Sequence, residues 1–267
     1  MGAGVRIIVS SVLAAAVSIG AAQAADVAPS PVIYQPRPGP VFYNWNGFYV
    51  GGFIGGAWHG GVKVGEGVSQ SGLGCYNVTC APYSYDLKSS FIGGGTLGFN
   101  WQYSSFVYGL EGEVGFLNLK GSAVDPNSVP VASDTTNTAK IGPWYALATM
   151  RFGFAWDQVL FYMKGGGAFV HLDSTANDSC TTGGCGANFI AASGGKTVAT
   201  WTLGGGIEWA FSRHWTVKAE YMYLGVDETV TACGVAGGAA PAAGTAFCWS
   251  HHFNGLQTGK VGFNFKF

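Results

Sequence analysis

The closing stretch of the chain, from Val261 to Phe267, constrains the fold more than any other. Apolar residues occupy every second position there, and polar or small residues occupy the positions between. Successive side chains of a β-strand point to opposite faces, so the pattern predicts a strand with one apolar face and one polar face. Such a strand leaves an edge that attracts other strands, unless the rest of the fold closes it. The apolar positions are Val261, Phe263, Phe265 and Phe267.

The composition narrows the choice of fold class. Charged residues make up only 10% of the chain, aromatic residues make up 15%, and 44 of the 267 residues are glycine. Mean hydropathy is positive at +0.24, yet no apolar run approaches the roughly 18 to 20 residues of a membrane-spanning helix. This combination leaves a deeply buried β-protein or a β-barrel whose apolar face contacts lipid. The net charge of −1 and the lack of a basic run argue against nucleic acid as a partner.

The beginning of the chain has the pattern of an export signal. Arg6 precedes a short apolar core, and residues 22–24 form an A-x-A site. We therefore predict a signal peptide over residues 1–24, cleaved after Ala24; a membrane anchor is disfavoured because the core is short and contains serines. Residues 25–44 are rich in proline, which predicts an extended periplasmic segment. The barrel domain is predicted over residues 45–267.

Eight segments with alternating apolar residues follow one another along the chain. Short and long connections alternate between them without exception, and this pattern is typical of outer-membrane barrels with short periplasmic turns and long outer loops. An even number of strands lets the first strand pair with the last and removes both edges. We predict an all-β fold, an eight-stranded antiparallel transmembrane β-barrel with four long extracellular loops. The segments are 47–60, 89–101, 106–119, 144–156, 159–172, 197–211, 215–227 and 252–267.

The placement of charges argues against a soluble barrel or sandwich. A soluble exterior needs many charges on every strand, whereas here most strands carry one or two in the middle, with both signs present. Few and sign-balanced charges are typical of a confined lumen in which each charge finds a partner. The predicted lumen charges are Glu111, Glu113, Arg151, Lys164, Glu208, Lys218, Glu220, Lys260 and Lys266.

The six cysteines form three pairs that are close in sequence, each within a predicted outer loop. An exported protein meets an oxidising compartment, so we predict disulfides that stay within single loops. A zinc site built from two C-x4-C pairs across the barrel mouth is the alternative. The predicted disulfides are Cys75–Cys80, Cys180–Cys185 and Cys233–Cys248.

The histidines and the nucleophilic residues give little support for a metal site or a catalytic site. His59, His251 and His252 lie at predicted outer strand ends, where His59 should approach one of the other two; they are weak candidates for a metal or haem site. Polar residues at the water boundary are the simpler interpretation. No acid, base and nucleophile share one outward-facing stripe, so we predict no catalytic residue, no cofactor and no enzyme.

The start of the barrel resembles a known family. Residues 44–52, Asn-Trp-Asn-Gly-Phe-Tyr-Val-Gly-Gly, resemble the W-x-G-F-Y-x-G-G opening of the alpha-proteobacterial outer-membrane β-barrel proteins, the opacity-like small surface antigens also called the porin family. The ending at 261–267 is similar to their closing strand. The resemblance implies insertion by the barrel-assembly machinery, which reads a terminal aromatic strand and so assigns Phe267 an assembly role. It also implies structural or surface-exposed roles, with pore activity claimed under the family name.

Three functions remain to be compared. An eight-stranded lumen is just wide enough to be filled by side chains, which favours a structural, surface-exposed barrel. A narrow diffusion pore is the alternative, and a lipid-modifying enzyme lacks its residues. The expected partners are outer-membrane lipid, lipopolysaccharide, the assembly machinery, and host or surface ligands at the loops.

Overall fold

The computed structural model describes residues 43–67, 74–76, 79–128, 135–178, 189–238 and 243–267. Eleven antiparallel strands form one sheet in this part of the chain. No helix in these ranges is long and apolar enough to cross a membrane. The predicted signal peptide, most of the proline-rich segment, and Cys180 and Cys185 lie outside the described residues.

Eight of the strands form the barrel wall. Each pairs with its neighbour in chain order, and β11 pairs with β1 to close the ring. Three short strands, β2 (Gly61–Glu66), β3 (Tyr83–Asp86) and β6 (Leu119–Val124), lie in the long connections. The predicted eight-stranded antiparallel barrel is thus confirmed. The wall strands are β1 (Gly47–His59), β4 (Ser90–Tyr103), β5 (Phe106–Phe116), β7 (Thr136–Trp156), β8 (Val159–Asp178), β9 (Ile190–Ala210), β10 (Trp215–Val235) and β11 (Ala246–Lys266).

The short connections gather at one end of the barrel, the turn end, and the long connections at the other, the loop end. Ser104 and Asp157 adopt positive φ angles of 55° and 54° in the two tightest turns, a conformation that suits tight hairpins. At the seam, Tyr49 lies opposite Lys266 near the turn end and His59 lies opposite Leu256 near the loop end. The predicted closing strand therefore pairs with the first strand from Leu256 to Lys266.

Inward and outward faces alternate along every wall strand. In β5 the outward side chains are large and exposed, among them Leu110 and Phe116, while Val107, Glu111 and Glu113 are buried inside. Most of the tryptophans near strand ends are exposed on the outer surface, as amphipathic rings at a membrane boundary should be. Two aromatic residues near the start of β1 lie inside instead. Trp45 and Tyr49 are buried in the lumen, because their positions fall on the inward face of the seam.

Five of the wall strands are longer than the sequence pattern predicted. Beyond the predicted segments, β7 begins at Thr136, β8 continues to Asp178 and β10 continues to Val235. Strand β9 begins at Ile190 and β11 at Ala246. These extensions project at the loop end and carry a buried apolar inner face. The inward residues include Ile141, Ala176, Ala192, Val230, Ala232 and Phe247.

Candidate functional site

The lumen holds a network of eight charged side chains from six strands. Four carboxylates face four basic groups, so the network is neutral when all are ionised. Each of these side chains is at most 4% exposed. The strands bring them together because each charge stands on an inward position flanked by outward apolar residues. The members are Glu111 and Glu113 on β5, Arg151 on β7, Lys164 on β8, Glu208 on β9, Lys218 and Glu220 on β10, and Lys260 on β11.

Lys164 lies at the centre of the network. Its Nζ is 2.6 Å from Glu111 Oε1, 2.8 Å from Glu220 Oε1 and 3.5 Å from Glu113 Oε2. Lys260 reaches two of the same carboxylates, with its Nζ 2.6 Å from Glu113 Oε1 and 2.8 Å from Glu220 Oε1. One ammonium group thus bridges three acids, and a second ammonium group bridges two of them.

These three carboxylates are also the one cluster in the described ranges that resembles a metal site. Oxygen atoms of Glu111, Glu113 and Glu220 lie within 4.8 Å of one another. The Lys164 ammonium lies within 3.5 Å of all three acids and supplies the positive charge that a metal ion would bring. The arrangement is therefore that of an internal salt bridge, with a lysine in the position of the cation.

The rest of the network lies toward the turn end. Arg151 Nη2 is 2.7 Å from Glu208 Oε2, and Lys218 Nζ is 3.1 Å from Glu111 Oε2. Thr216 Oγ1 and Asn264 Nδ2 donate hydrogen bonds of 2.5 and 2.8 Å to the same oxygen of Glu208. The Arg151 guanidinium also lies 4.1 Å from the centre of the Tyr162 ring. Charge-assisted hydrogen bonds of this kind fix the geometry of a buried network.

Three tyrosines complete the network, and each stands directly opposite a glycine on a neighbouring strand. The hydroxyls of Tyr49, Tyr145 and Tyr162 donate to Glu111, Glu113 and Glu220 over 2.7, 2.8 and 3.0 Å. Each ring lies over a backbone position where a Cβ atom would collide with it. The glycines leave room for the rings, which cover the exposed backbone in turn. The cross-strand pairs are Tyr49 with Gly98, Tyr145 with Gly115 and Tyr162 with Gly206.

Lys266 does not belong to this network, and its prediction as a lumen charge near the carboxylates was wrong. Its ammonium group hydrogen-bonds the carbonyl oxygen of Asn44 and lies 5.0 Å from the centre of the Tyr43 ring. Six residues separate it from Lys260, which corresponds to about 20 Å along a strand. That distance places Lys266 at the mouth of the turn end, beyond reach of the acids.

Two apolar layers enclose the charge network. Toward the turn end, Trp45 packs with Leu160, Ala210 and three neighbours. Toward the loop end a larger layer extends into the strand extensions, with Leu256, Phe253 and Trp249 among its buried members. This outer layer was not predicted, because the extensions were expected to be loops. The continued alternation of Phe247, Trp249, His251 and Phe253 was the signal that could have revealed it.

Described residues of the first long connection pack against the apolar layer at the loop end. The Tyr76 ring packs edge-on against Phe247 and Trp249, with ring centres 5.2 and 5.8 Å apart. Its hydroxyl is 3.1 Å from Asp178 Oδ2, and its backbone amide donates to Glu66. Tyr83 and Tyr85 of β3 pack on the same apolar layer. These tyrosines therefore extend the apolar layer at the loop end with aromatic rings.

Two of the three predicted disulfides fall on described residues. Cys75, the chain neighbour of Tyr76, is bonded to Cys80. Cys233 is bonded to Cys248, and these two residues lie directly opposite each other on β10 and β11. The expectation that no cysteine falls in a strand is therefore corrected, because β10 and β11 continue beyond the predicted segments. The pair Cys180–Cys185 lies outside the described residues.

The histidines do not meet. His59 lies opposite Leu256, whereas His251 and His252 pair with Val64 and Lys63 of β2, which separates them from His59. His252 Nε2 is 3.3 Å from Asp227 Oδ1, and His59 hydrogen-bonds the carbonyl of Gly60. The expected approach of His59 to one of the others is wrong, because β1 ends at His59 and β2 replaces it as the neighbour of β11 at His251 and His252. Among the described residues, none of the three belongs to a group that could hold a metal ion.

The closing strand ends at the seam. Phe267 is exposed, and its backbone amide donates to the carbonyl of Phe48 over 3.1 Å. Its ring meets that of Phe265 edge-on, with ring centres 5.3 Å apart. The predicted assembly role of Phe267 stays a prediction, and the geometry places the residue on the lipid-facing side at the turn end.

Comparison with known proteins agrees with this architecture. The family model of the outer membrane protein beta-barrel domain matches residues 11–245. The chain is 31% identical over 216 residues to the 31 kDa outer-membrane immunogenic protein of Brucella melitensis, covering 78% of this chain and 82% of that protein.

Two solved structures are similar at low sequence identity. OprG from Pseudomonas aeruginosa matches 85% of this chain and 98% of its own, at 10% identity and a TM-score of 0.49. Neisserial surface protein A matches 82% of this chain and 97% of its own, at 14% identity and a TM-score of 0.33. On the family match and the Brucella relative, the chain belongs to the outer-membrane β-barrel protein family.

Proposed function

We propose that this protein is a closed barrel that presents its loop end at the cell surface and does not conduct solutes. It is an integral protein of the outer membrane with a structural, surface-exposed role. The observation that carries the proposal is the filled lumen, in which a neutral charge network lies between two apolar layers.

The filling leaves the charges little freedom to move aside. Each ammonium group of Lys164 and Lys260 contacts at least two carboxylates, and the carboxylates also accept tyrosine hydroxyls. Breaking one buried pair leaves an uncompensated charge, which costs about 3–5 kcal/mol. A solute would have to separate this network and also pass the two layers of mainly apolar side chains.

Single-channel recording tests the proposal. The protein, purified from outer membranes and inserted into a planar lipid bilayer, should give no steady stepwise currents. A sixteen-stranded porin in the same bilayer serves as the positive control for insertion and detection. Regular current steps that scale with the number of inserted barrels would show a conducting lumen and overturn the proposal in favour of the diffusion pore.

A non-enzymatic role is part of the proposal. The relatives are outer-membrane barrels, and the lumen carboxylates described above are buried in ion pairs with lysine and arginine side chains. A phospholipase and deacylase assay on outer-membrane lipids tests this point. Turnover above that of a boiled sample would contradict it.

The surfaces of the barrel indicate which partners the protein meets in the outer membrane. We infer that outer-membrane lipid and lipopolysaccharide surround the band of exposed apolar side chains, which includes Leu97, Leu110, Met150 and Phe263. We also infer that the barrel-assembly machinery engages the closing strand and that the loop end meets external ligands. Chemical crosslinking from a photoreactive residue at Phe267 during assembly would capture the machinery if the strand is its contact.

A further inference from the structure

Three lysines lie side by side on the outer surface of the loop-end extensions. Lys88 pairs with Lys120 through an isolated bridge, and its amide donates to the Lys120 carbonyl over 3.1 Å. Lys120 in turn lies directly opposite Lys140 in the pairing of β6 with β7. Opposed residues of antiparallel strands point to the same face with Cβ atoms about 5 Å apart. Their chain neighbours on the buried face are Leu87, Leu119 and Ala139.

The described part of the chain forms no ion pair with this lysine row. Among the described residues, no carboxylate oxygen lies within 4.0 Å of the three ammonium groups. Asp173 lies opposite Lys140, but its Oδ1 is 3.1 Å from His171 Nε2. Like charges placed directly opposite each other destabilise a sheet. An anion of external origin would relieve this repulsion.

The height of the row indicates which anion it meets. Phe116 lies four residues before Lys120 in the chain, and Trp144 lies four residues after Lys140. Both aromatic residues lie at the upper edge of the exposed apolar band. Four residues of a strand tilted by about 40° rise roughly 10 Å. The headgroup layer lies directly above the hydrocarbon core of a bilayer. The row therefore faces the headgroups of the outer leaflet.

We propose that Lys88, Lys120 and Lys140 bind the phosphoryl groups of an outer-leaflet glycolipid. Lysine ammonium groups bind phosphate as point charges, and a row about 10 Å long spans more than one phosphoryl group. The proposal rests on the inferred lipid environment but not on the closed lumen, because a conducting barrel would present the same row. Conductance and lipid binding therefore fail or succeed independently.

Titration of the detergent-solubilised protein with diphosphoryl lipid A, read out by native mass spectrometry, tests the proposal. The variant K88Q/K120Q/K140Q should bind roughly a hundredfold more weakly, and K120Q alone about fivefold more weakly, since each lysine near a charged lipid surface contributes a factor of about five. The matched control is K63Q, which removes an exposed lysine of β2 that lies opposite Ser84 and His252. The control should bind as the unsubstituted protein does.

Three comparisons decide the outcome. Lipid A with its phosphates removed should bind the unsubstituted protein and the triple variant alike. Equal loss in K63Q and in the triple variant, or no loss in the triple variant, would overturn the site. Displacement of lipid A by millimolar inorganic phosphate alone would assign the row to free phosphate and overturn the lipid assignment. Unfolding of K120Q in lipid-free detergent checks the fold, and stability equal to or above that of the unsubstituted protein is expected.

Discussion

Tyr145 on β7 stands directly opposite Gly115 on β5, and its ring lies against the position that a side chain at Gly115 would occupy. The Tyr145 hydroxyl donates to Glu113 over 2.8 Å, which in turn binds Lys260. The space left by Gly115 therefore allows the Tyr145 ring to take the position from which it binds Glu113, the partner of Lys260. The same relationship recurs at Tyr49 and at Tyr162, so the glycine-rich strands and the charge network depend on each other.

Adding a methyl group at Gly115 should displace the Tyr145 ring and disturb its bond to Glu113. We expect Gly115→Ala to lower the free energy of unfolding by about 1–3 kcal/mol, the usual cost of overpacking. Gly112→Ala is the matched control, because Gly112 lies on the same strand, faces outward and has ordinary space for a Cβ atom. Urea unfolding in detergent measures both variants. Equal effects would show that the ring does not depend on the glycine.

Removing the central lysine should destabilise the barrel far more than removing a lysine at the surface. Lys164→Met leaves Glu111 and Glu220 short of a buried partner and should cost about 3–5 kcal/mol. Lys196→Met breaks a pair with Glu228 in which both side chains are about 40% exposed, so about 1 kcal/mol or less is expected. The comparison uses the same unfolding assay. Similar losses in both variants would contradict a tightly coupled network.

The buried histidine of the outer layer should make stability depend on pH. His251 lies above the lipid-facing band, and burial lowers its pKa to about 4 from an ordinary value of 6.5. The unfolded chain therefore binds a proton between these values that the folded chain rejects, so stability rises with pH across this window and is lost as the pH falls from 6.5 to 4. The full contribution is about 3 kcal/mol.

Measuring the free energy of unfolding from pH 4 to 7.5 checks this effect. His251→Phe should flatten the curve by the equivalent of one proton between pH 4 and 6.5. His252→Gln, on the same strand but facing outward and partly exposed, is the control. A curve for His251→Phe that keeps the full slope would assign the pH dependence to other groups.

The orientation of the outer face can be tested with single arginines. Met150 is 72% exposed midway along the lipid-facing part of β7, and Tyr103 is 78% exposed at the turn end. Met150→Arg should cost about 2–4 kcal/mol in a bilayer, as expected at the midplane, and Tyr103→Arg about 1 kcal/mol or less. Unfolding from phospholipid vesicles gives both values. A reversed order would contradict the assigned membrane band.

Much of this architecture follows from strict alternation in the sequence. Alternation assigns Glu111 or Arg151 to the inner face without any knowledge of their partners, because a strand has a period of two residues. It cannot assign register, which decides which strand neighbours meet. Alternation places Lys266 on the inner face correctly, but it does not show that this residue lies at the turn end, away from the carboxylates. Likewise, the pairing of the first strand with the last was predicted correctly, but His59 lies opposite Leu256 and not opposite a histidine.

The apolar layer at the loop end could not be predicted from the sequence pattern for a different reason. In the extensions of β8 to β10 several inward positions hold small residues such as Ala176 and Ala232, and many outward positions hold threonine, serine or glycine. Such a stretch lacks the large lipid-facing residues that are typical of a membrane strand, so its sequence pattern predicts a loop. The tertiary contacts with Trp249 and Phe253 keep it extended.

The length of the wall strands sets how far the protein reaches from the cell. Strand β8 has 20 residues, and a strand of that length tilted by about 40° rises roughly 50 Å, twice the ~25 Å height of a lipid-facing band. About half of the strand length therefore lies above the hydrocarbon core, where the barrel continues as a β-structure with its own apolar interior. The loop tips are lifted by some 25 Å to the outside, so a molecule that approaches through the sugars of the outer leaflet meets the tips before it meets the membrane.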